Sequence, residues 1–172
     1  MHYATESCKT ISPRRTELEF TLSLNARNEI ELHAIASFPE ECCGVVISRS
    51  GGDVVERCRN IQNLIHAEDP AGNPRDATIA YAMDPQELMT ILNAAETSGG
   101  KLKAFYHSHP NHEAYFSEED KAGATPFGEP TYPEAAQIVI SIYDSTVKRV
   151  RAYMWKPERK DFVEVPLTKD IS

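Results

Sequence analysis

The sequence predicts an α/β protein, of the α+β sandwich type rather than a parallel doubly wound sheet. The length of 172 residues suits one domain, and the hydrophobic share of 41% and the charged share of 26% are ordinary for a globular protein. Segments that alternate apolar and polar residues lie among segments with helical spacing. Two pairs of strand-like segments are separated by short polar turns, which predicts hairpins.

The N-terminal part predicts a leader, a strand and a helix. Residues 1–16 are mostly polar and show no periodicity, so we expect a flexible leader ahead of a single domain at 17–172. Residues 18–24 alternate apolar and polar side chains, as in a strand with one buried face. Asn25 is predicted to cap the helix that follows, and Pro39 to end it. The apolar residues of this helix at helical spacing are Ile30, Ala34 and Phe38.

The next segments predict a hairpin and a long loop. Residues 44–48 and 54–58 are short apolar runs on either side of a polar turn at 50–53, so we expect a β-hairpin. Residues 63–77 carry polar residues, Pro and Gly with no period, and a loop of this length in a compact domain is usually functional or disordered. A further strand is predicted at residues 77–83.

The C-terminal part predicts two helices and four strands. Asp84 and Pro85 are typical of a helix start, and Gly99 and Gly100 of the end of that helix. Ser117, followed by three acidic residues, is typical of a second helix start. The strands are predicted at 102–106, at 136–143 and 147–155 as a hairpin, and at 161–165 as an edge strand.

Composition and charge exclude several classes of protein. Lys and Arg number 18 against 26 Asp and Glu, a formal net charge of −8, so we expect no nucleic-acid partner and no anionic membrane surface. No run of about 18 apolar residues occurs, and the N-terminal residues lack the apolar core of a secretory signal. The four cysteines include no CxxC pair, which favours reduced thiols in a cytoplasmic protein.

Two histidines and an aspartate form a candidate metal site. His107 and His109 are two residues apart on a predicted strand, so their side chains leave the same face. Asp120 lies eleven residues later, at the start of the second C-terminal helix. Two His and one carboxylate are the ligand set of a catalytic zinc site, which leaves the fourth position for water. A His pair alone has a plainer interpretation, since such pairs often only pack.

Glu41 and Ser117 are candidate catalytic residues beside that site. Zinc lowers the pKa of bound water from 15.7 to roughly 7, and a base must still pass the water proton to the leaving amine. Glu41, at the start of a separate strand, is the candidate base, and the Ser117 hydroxyl is the candidate donor to the oxyanion. Ser117 and Asp120 alone would indicate a helix cap, which is compatible with catalysis. Metal, base and oxyanion donor together predict an amide hydrolase.

Three motifs in this order resemble the JAMM metalloproteases, also called MPN-plus or JAB-domain proteins. The motifs are Glu-x-Cys-Gly from Glu41, His-Ser-His-Pro from His107 and Ala-Tyr-Phe-Ser-x-x-Asp from Ala114. The likeness covers about residues 18–156 and resembles the compact stand-alone bacterial members. It implies a JAB/MPN fold related to that of cytidine deaminases, with a mixed β-sheet flanked by helices.

The resemblance also implies roles for individual residues. The three candidate ligands would bind one Zn²⁺ per chain. Glu41 would activate the zinc-bound water, and Ser117 would stabilise the oxyanion. Glu40 is one position out of register with the family's glutamate, which makes it the weaker candidate for the base.

The implied substrate is an amide bond at the C-terminal tail of a ubiquitin-like or sulfur-carrier protein. Relatives cleave after the Gly-Gly tail of such proteins, and some bacterial ones remove a residue such as cysteine added to a sulfur carrier. The 63–77 loop is similar to an insertion that clamps the tail in relatives. An extended tail could also pair with an exposed strand edge near the metal. The particular substrate, its pathway and the oligomeric state stay open.

Two other functions are compatible with parts of the pattern. A non-catalytic MPN-type module would bind a ubiquitin-like partner without cutting it, but the complete ligand set favours an enzyme. A zinc deaminase would need an HxE motif followed by a PCxxC, and no PCxxC occurs in this sequence.

Overall fold

The computed structural model describes residues 18–170, so the leader predicted at 1–16 lies outside the described residues. The strands are β1 (Phe20–Ser23), β2 (Cys43–Arg49), β3 (Gly52–Cys58), β4 (Lys101–Pro110), β5 (Ala136–Tyr143), β6 (Thr146–Lys156), β7 (Asp161–Val165) and β8 (Leu167–Asp170). The helices are α1 (Leu24–Ser37), α2 (Gln62–Glu68), α3 (Pro85–Thr97) and α4 (Glu118–Ala124). Within this range no helix is both long and apolar enough to cross a membrane.

A mixed six-stranded sheet organises the domain, in the order β3-β2-β4-β5-β6-β7. The central pair β4 and β5 is parallel, and the other neighbouring pairs are antiparallel. β1 and β8 form a separate parallel ribbon. Both predicted hairpins are present, and β7 lies at the sheet edge as expected. The predicted α/β class, with a mixed sheet flanked by helices, is confirmed.

The two faces of the sheet bury different partners. On one face, Ile30 and Ala34 of α1 pack in the main core with Tyr106 of β4. On the other face, Ala95 of α3 packs against β2, with Phe105 of β4 beside it. Successive side chains of a strand point to opposite faces, so His107 and His109 lie on the same face as Phe105, toward α3. These are the two histidines of the candidate metal site.

The cap of α1 differs from the prediction. The helix begins at Leu24, directly after β1, and the Ser23 hydroxyl accepts a hydrogen bond from the Ala26 amide at 3.2 Å. Asn25, the predicted cap, is therefore inside the first turn, and that prediction is wrong. Ser23 is also the last residue of an alternating strand pattern, and this hid its capping role.

The predicted strand at 77–83 is not a strand, apart from one isolated bridge between Asn60 and Met83. Its backbone groups bond to several other residues, and the side chain of Asn60 makes two of these bonds. The amide nitrogen of Asn60 donates to the Ala80 carbonyl at 3.2 Å, and the Asn60 carbonyl oxygen accepts from the Ala82 amide at 3.0 Å. The apolar side chains of residues 77–83 line a groove and do not pack in the core of a sheet.

The 63–77 segment is not a continuous loop, because α2 occupies its first part. No residue of α2 is buried, so no apolar periodicity marks it in the sequence. Its first turn is supported by Asn60, whose side-chain oxygen accepts from the Gln62 amide at 3.0 Å. Residues 69–77 beyond α2 contain no helix or strand, as predicted.

Candidate active site

Three side chains from two elements meet on the α3 face of the sheet. His107 and His109 lie on β4, which continues through the whole His-Ser-His-Pro motif. Asp120 is the third residue of α4, within the connection that crosses from β4 to the parallel strand β5. This crossover places the start of α4 beside the end of β4, and Asp120 faces the two histidines.

The ligand atoms form a compact triangle. The Nε2 atoms of His107 and His109 are 3.1 Å apart, Oδ1 of Asp120 lies 3.3 Å from Nε2 of His107, and Oδ2 lies 3.6 Å from Nε2 of His109. In a tetrahedral zinc site with bonds of about 2.0–2.1 Å, ligand atoms are separated by about 3.3–3.4 Å. These separations, which run to both oxygens of Asp120, are close to those of a tetrahedral site, and three such side chains would leave its fourth corner open.

Surrounding groups prepare the ligands for a cation. The Nδ1–H of His109 donates to the Glu113 carbonyl at 2.9 Å, which directs the Nε2 lone pair toward the triangle. Burial lowers the pKa of His107, which favours its neutral, ligating form. Burial opposes ionisation of Asp120, but the adjacent side chains of His107, His109 and Ser117 outweigh burial and hold the pKa of its carboxyl well below the usual range. The set thus offers two imidazoles and a carboxylate.

Ser117 and Asp120 form a reciprocal capping box at the start of α4. The Ser117 hydroxyl accepts from the Asp120 amide at 3.1 Å, and the Asp120 carboxylate accepts from the Ser117 amide at 2.8 Å. The hydroxyl also lies 2.6 Å from Oδ2 of Asp120, to which it donates. The same turn that positions the carboxylate beside the histidines therefore positions the hydroxyl beside the carboxylate.

Glu41 lies in the same groove as the triangle and is 7% exposed. Two hydrogen bonds hold the backbone of Glu41. Its N–H donates to the Ala77 carbonyl at 2.7 Å, and its carbonyl accepts from the side-chain amide of Asn60 at 3.0 Å. Burial raises the pKa of the Glu41 carboxyl to about 8, against the attraction of His109. A carboxyl with this pKa can carry a proton near neutral pH.

The neighbouring Glu40 is placed differently. It is exposed, and its carboxylate accepts a hydrogen bond from Asn63 of α2 at 2.9 Å. It does not line the groove that holds Glu41. Of the two adjacent glutamates, the structure therefore brings Glu41 alone to the histidines and Asp120.

Ser108 is a site residue that the motif contained but the sequence did not explain. It is fully buried on the α1 face, and its hydroxyl accepts from the Cys42 amide at 2.8 Å. The Ser108 amide donates to the Cys42 carbonyl at 3.0 Å. This pair of bonds fastens the residue after Glu41 to the strand of the two histidines, so it sets their relative position.

Tyr81 and Arg75 are further groove residues that sequence reasoning missed. The ring of Tyr81 stacks on His107, with ring centroids 4.4 Å apart and 22° between the planes. The guanidinium of Arg75 contacts Glu119 of α4 at 2.6 Å. Both residues come from the stretch between α2 and α3, where the sequence predicted a loop around Arg75 and a strand around Tyr81. The groove has a volume of about 700 Å³ and includes both side chains.

The fold and the site together define an α/β domain with two histidines and one carboxylate, a group that could hold a metal ion, at the crossover between parallel strands. The chain belongs to the family of prokaryotic homologs of the JAB domain, whose family model matches residues 23–156. The matched residues run from the start of α1 to the end of β6, and they include every candidate site residue. The resemblance drawn from the three motifs is confirmed.

The chain is similar to curated proteins named Desampylase and CysO-cysteine peptidase. It is 32% identical to the Desampylase of Haloferax volcanii over 114 residues, which are 64% of this chain and 76% of the relative. It is 29% identical to the CysO-cysteine peptidase of Mycobacterium tuberculosis over 126 residues, which are 73% of this chain and 75% of the relative.

Solved structures share the fold at low sequence identity. The solution structure of a protein from Desulfitobacterium hafniense matches with a TM-score of 0.65 and 22% identity, covering 89% of this chain and 94% of the other. A protein from Salinibacter ruber matches with a TM-score of 0.57 and 22% identity, covering 88% and 92%. At this level of identity the two structures show the fold alone.

Proposed function

We propose that this chain is a zinc-dependent peptidase that hydrolyses an amide bond at the C-terminal tail of a ubiquitin-like or sulfur-carrier protein. The observation that carries the proposal is the triangle of His107, His109 and Asp120, whose edges fit a tetrahedral ion with one open corner. The names of the curated relatives, Desampylase and CysO-cysteine peptidase, support the substrate class.

The triangle would hold one zinc ion per chain. When bound, zinc supplies Lewis acidity and positive charge, which lower the pKa of a water molecule to about 7 and favour the carboxylate form of Glu41. An open corner is typical of catalytic zinc sites, whereas structural sites have four protein ligands. The site is therefore better suited to catalysis than to holding the fold together.

Glu41 acts as the general base and then as the general acid. Its carboxylate takes a proton from the attacking water and passes it to the leaving amine. Burial raises the pKa of Glu41 and the charge of a bound zinc ion would lower it again, and a group that titrates near the working pH can accept and return a proton. Its low exposure keeps bulk water from competing for that proton.

Ser117 turns its hydroxyl hydrogen from Oδ2 of Asp120, to which it donates at 2.6 Å in this structure, to the scissile carbonyl oxygen as that oxygen gains negative charge. Its hydroxyl lines the groove at the start of α4, next to the metal ligand Asp120. A donor of this kind contributes roughly 10²–10³-fold to turnover. A hydrogen bond that strengthens only in the transition state raises the rate without tightening substrate binding.

The test is cleavage of carrier-protein fusions, followed by mass spectrometry, with zinc content measured on the same samples. We expect the wild-type chain to cut the fusion after the carrier tail. Glu41→Gln should keep its zinc and lose turnover, and His107→Ala should lose both. Glu40→Gln is the matched control, since Glu40 is exposed and outside the groove.

The outcomes separate an enzyme from a binding module. A zinc-loaded chain that binds the carriers tightly and cuts none of them would support the non-catalytic MPN-type module instead. Full activity in Glu41→Gln would remove Glu41 from the role of base. Stoichiometric zinc in His107→Ala would remove His107 from the ligand set.

A further inference from the structure

Gln137 is a buried polar residue that neither the three motifs nor the proposed mechanism uses. It lies on β5, is 6% exposed and lines the groove of the candidate site. No hydrogen bond joins its side-chain amide to another residue in the range 18–170, although such an amide has two hydrogens to donate and an oxygen that accepts. An amide at this depth is satisfied only by what enters the groove, and leaving it unpaired costs free energy.

The strand register places Gln137 beside the two histidines on the same face of the sheet. β4 and β5 pair Phe105 with Gln137, and His107 with Val139. Residues two apart on a strand point to the same side, so Gln137 faces the groove as His107 does. With about 4.8 Å between strands and about 3.3 Å per residue along them, the Cα atoms of Gln137 and His107 are about 8 Å apart.

The part of the groove around Gln137 is apolar. Phe105 is its neighbour on β4, and the ring of Tyr132 lies against that of Phe105 with centroids 5.5 Å apart. Leu88 of α3 packs in the same cluster as Phe105 and also lines the groove. We call these four residues, Leu88, Phe105, Tyr132 and Gln137, the Gln137 subsite. A single amide among apolar side chains is typical of a site that binds an apolar group and fixes its orientation.

The distance from the histidines selects one position of a bound tail. An extended chain advances about 3.3–3.6 Å per residue, so two residues span about 7 Å. When the scissile carbonyl lies at the metal triangle, the third residue before the scissile bond is therefore level with Gln137. A leaving group of one amino acid is too short to reach this place, whereas every carrier tail has a third residue. The tail is the occupant that fits.

We propose that the Gln137 subsite binds the third residue before the scissile bond, with the Gln137 amide paired to its backbone and the apolar walls around its side chain. This inference rests on the proposed function. A side-chain amide and a peptide group match, because each has an N–H that donates and a carbonyl that accepts. The subsite therefore selects an apolar residue at this position, and a carboxylate there would lose its hydration among apolar groups.

A purely structural role for Gln137 makes a different prediction. If the amide supported the fold, its removal would lower the thermal midpoint and impair all substrates to a similar extent. Because no residue in the described range bonds to this amide, Gln137→Leu should keep or raise the thermal midpoint. Weaker cleavage in a variant of undiminished stability then indicates a role in substrate binding.

The first test varies the substrate side chain. One carrier is prepared with Leu, Gly or Asp as the third residue before the cleaved bond. We expect kcat/KM of the zinc-loaded wild type to favour the Leu tail over the Gly tail by about 10- to 100-fold, the range for burying such a side chain. The Asp tail should be cut most slowly.

The second test varies the substrate backbone. In a further Leu tail an ester oxygen replaces the backbone N–H of the third residue, which removes one donor. Wild type should favour the amide tail over the ester tail by about 2- to 10-fold, the range for one hydrogen bond. Gln137→Leu should bring this ratio close to one. Gln86→Leu is the matched control, since Gln86 is exposed and outside the groove, and it should keep the wild-type ratio.

The outcomes separate the subsite from the proposed function. Equal rates for the Leu, Gly and Asp tails, or an amide-to-ester ratio that Gln137→Leu leaves unchanged, would overturn the subsite and leave the peptidase standing. A lower thermal midpoint in Gln137→Leu, with all tails impaired alike, would assign Gln137 to the fold instead. Zinc content is measured on every variant. If the zinc-loaded wild type cuts no tail, the peptidase function itself fails and this inference falls with it.

Discussion

The ring of Tyr81 lies nearly parallel to the imidazole of His107, with centroids 4.4 Å apart. His107 is almost fully buried, and Tyr81 covers the face of the imidazole that would otherwise meet the groove. Tyr81 has no place in the metal triangle, yet it limits the orientations open to one ligand. We therefore regard Tyr81 as a positioning residue for the metal centre.

Removing this ring should weaken metal binding. A stacked aromatic pair contributes about 0.5–1.5 kcal/mol beyond its buried area, so Tyr81→Leu should lower zinc affinity roughly three- to tenfold. Tyr81→Phe keeps the ring and should bind zinc like the wild type. The measurement is chelator competition on both variants. Equal weakening in both would assign the effect to the hydroxyl, and no weakening in Tyr81→Leu would remove Tyr81 from this role.

The mutual placement of several candidate site residues could be predicted, because it depends on local spacing in the sequence. His107 and His109 share a face through the two-residue period of a strand, and Ser117 and Asp120 share a turn through the capping box. Neither relationship depends on distant parts of the chain. The convergence of Glu41 on these groups came from the family resemblance, since nothing in the sequence alone places residue 41 beside residue 107.

The framework of the groove could not be predicted, because it rests on single long-range side-chain contacts. Asn60 holds the backbone of Glu41 and of Ala80 and Ala82, and no local pattern marks an asparagine for that purpose. The same contacts replaced the strand expected at 77–83. The pairing of β1 with β8 joins segments almost 150 residues apart, which a local period does not report.

The glycine of the Glu-x-Cys-Gly motif has a steric explanation that can be tested. A β-carbon on Gly44 would lie 2.5 Å from the Glu56 carbonyl oxygen and 2.6 Å from the Tyr106 hydroxyl oxygen. Gly44→Ala should therefore destabilise the fold by about 3 kcal/mol, as overpacked core sites do. Gly51→Ala, with no atom within 4 Å of its β-carbon, is the matched control. Denaturant unfolding that gives equal stabilities for the two variants would contradict the steric account.

A partly buried histidine away from the candidate metal site should make stability depend on pH. Nδ1 of His33 lies 2.8 Å from the Tyr106 hydroxyl oxygen, and burial, aided by Arg57, lowers the pKa of His33 to about 4. A histidine in the unfolded chain binds its proton near pH 6.5, whereas His33 in the folded chain stays neutral down to about pH 4. The free energy of unfolding is therefore unaffected by this group above pH 6.5, and it decreases as the pH falls from 6.5 toward 4.

Comparison of variants isolates this contribution. Discounted for the partial exposure of His33, the loss of unfolding free energy between pH 7 and pH 4 should be about 1–2 kcal/mol larger in wild type than in His33→Gln. The exposed His112 provides the control, and His112→Gln should follow the wild-type pH profile. Denaturant unfolding at several pH values measures the difference. Parallel profiles for wild type and His33→Gln would contradict the assignment.

The two roles of Ser117, as a helix cap and as an oxyanion donor, can be separated by comparison with a second capping serine. Ser23 caps α1 through the Ala26 amide as Ser117 caps α4 through the Asp120 amide, but Ser23 does not line the groove.

Replacing either serine by alanine should cost about 1 kcal/mol of stability, because each loses one capping bond. Only Ser117→Ala should also lose roughly 10²–10³-fold in kcat, since only Ser117 lines the groove and is proposed to donate to the carbonyl oxygen that gains charge. Ser117→Thr keeps the hydroxyl and should recover most of both losses. If Ser117→Ala and Ser23→Ala reduce kcat equally in the zinc-loaded protein, Ser117 is a structural cap and the oxyanion donor must be sought elsewhere in the groove.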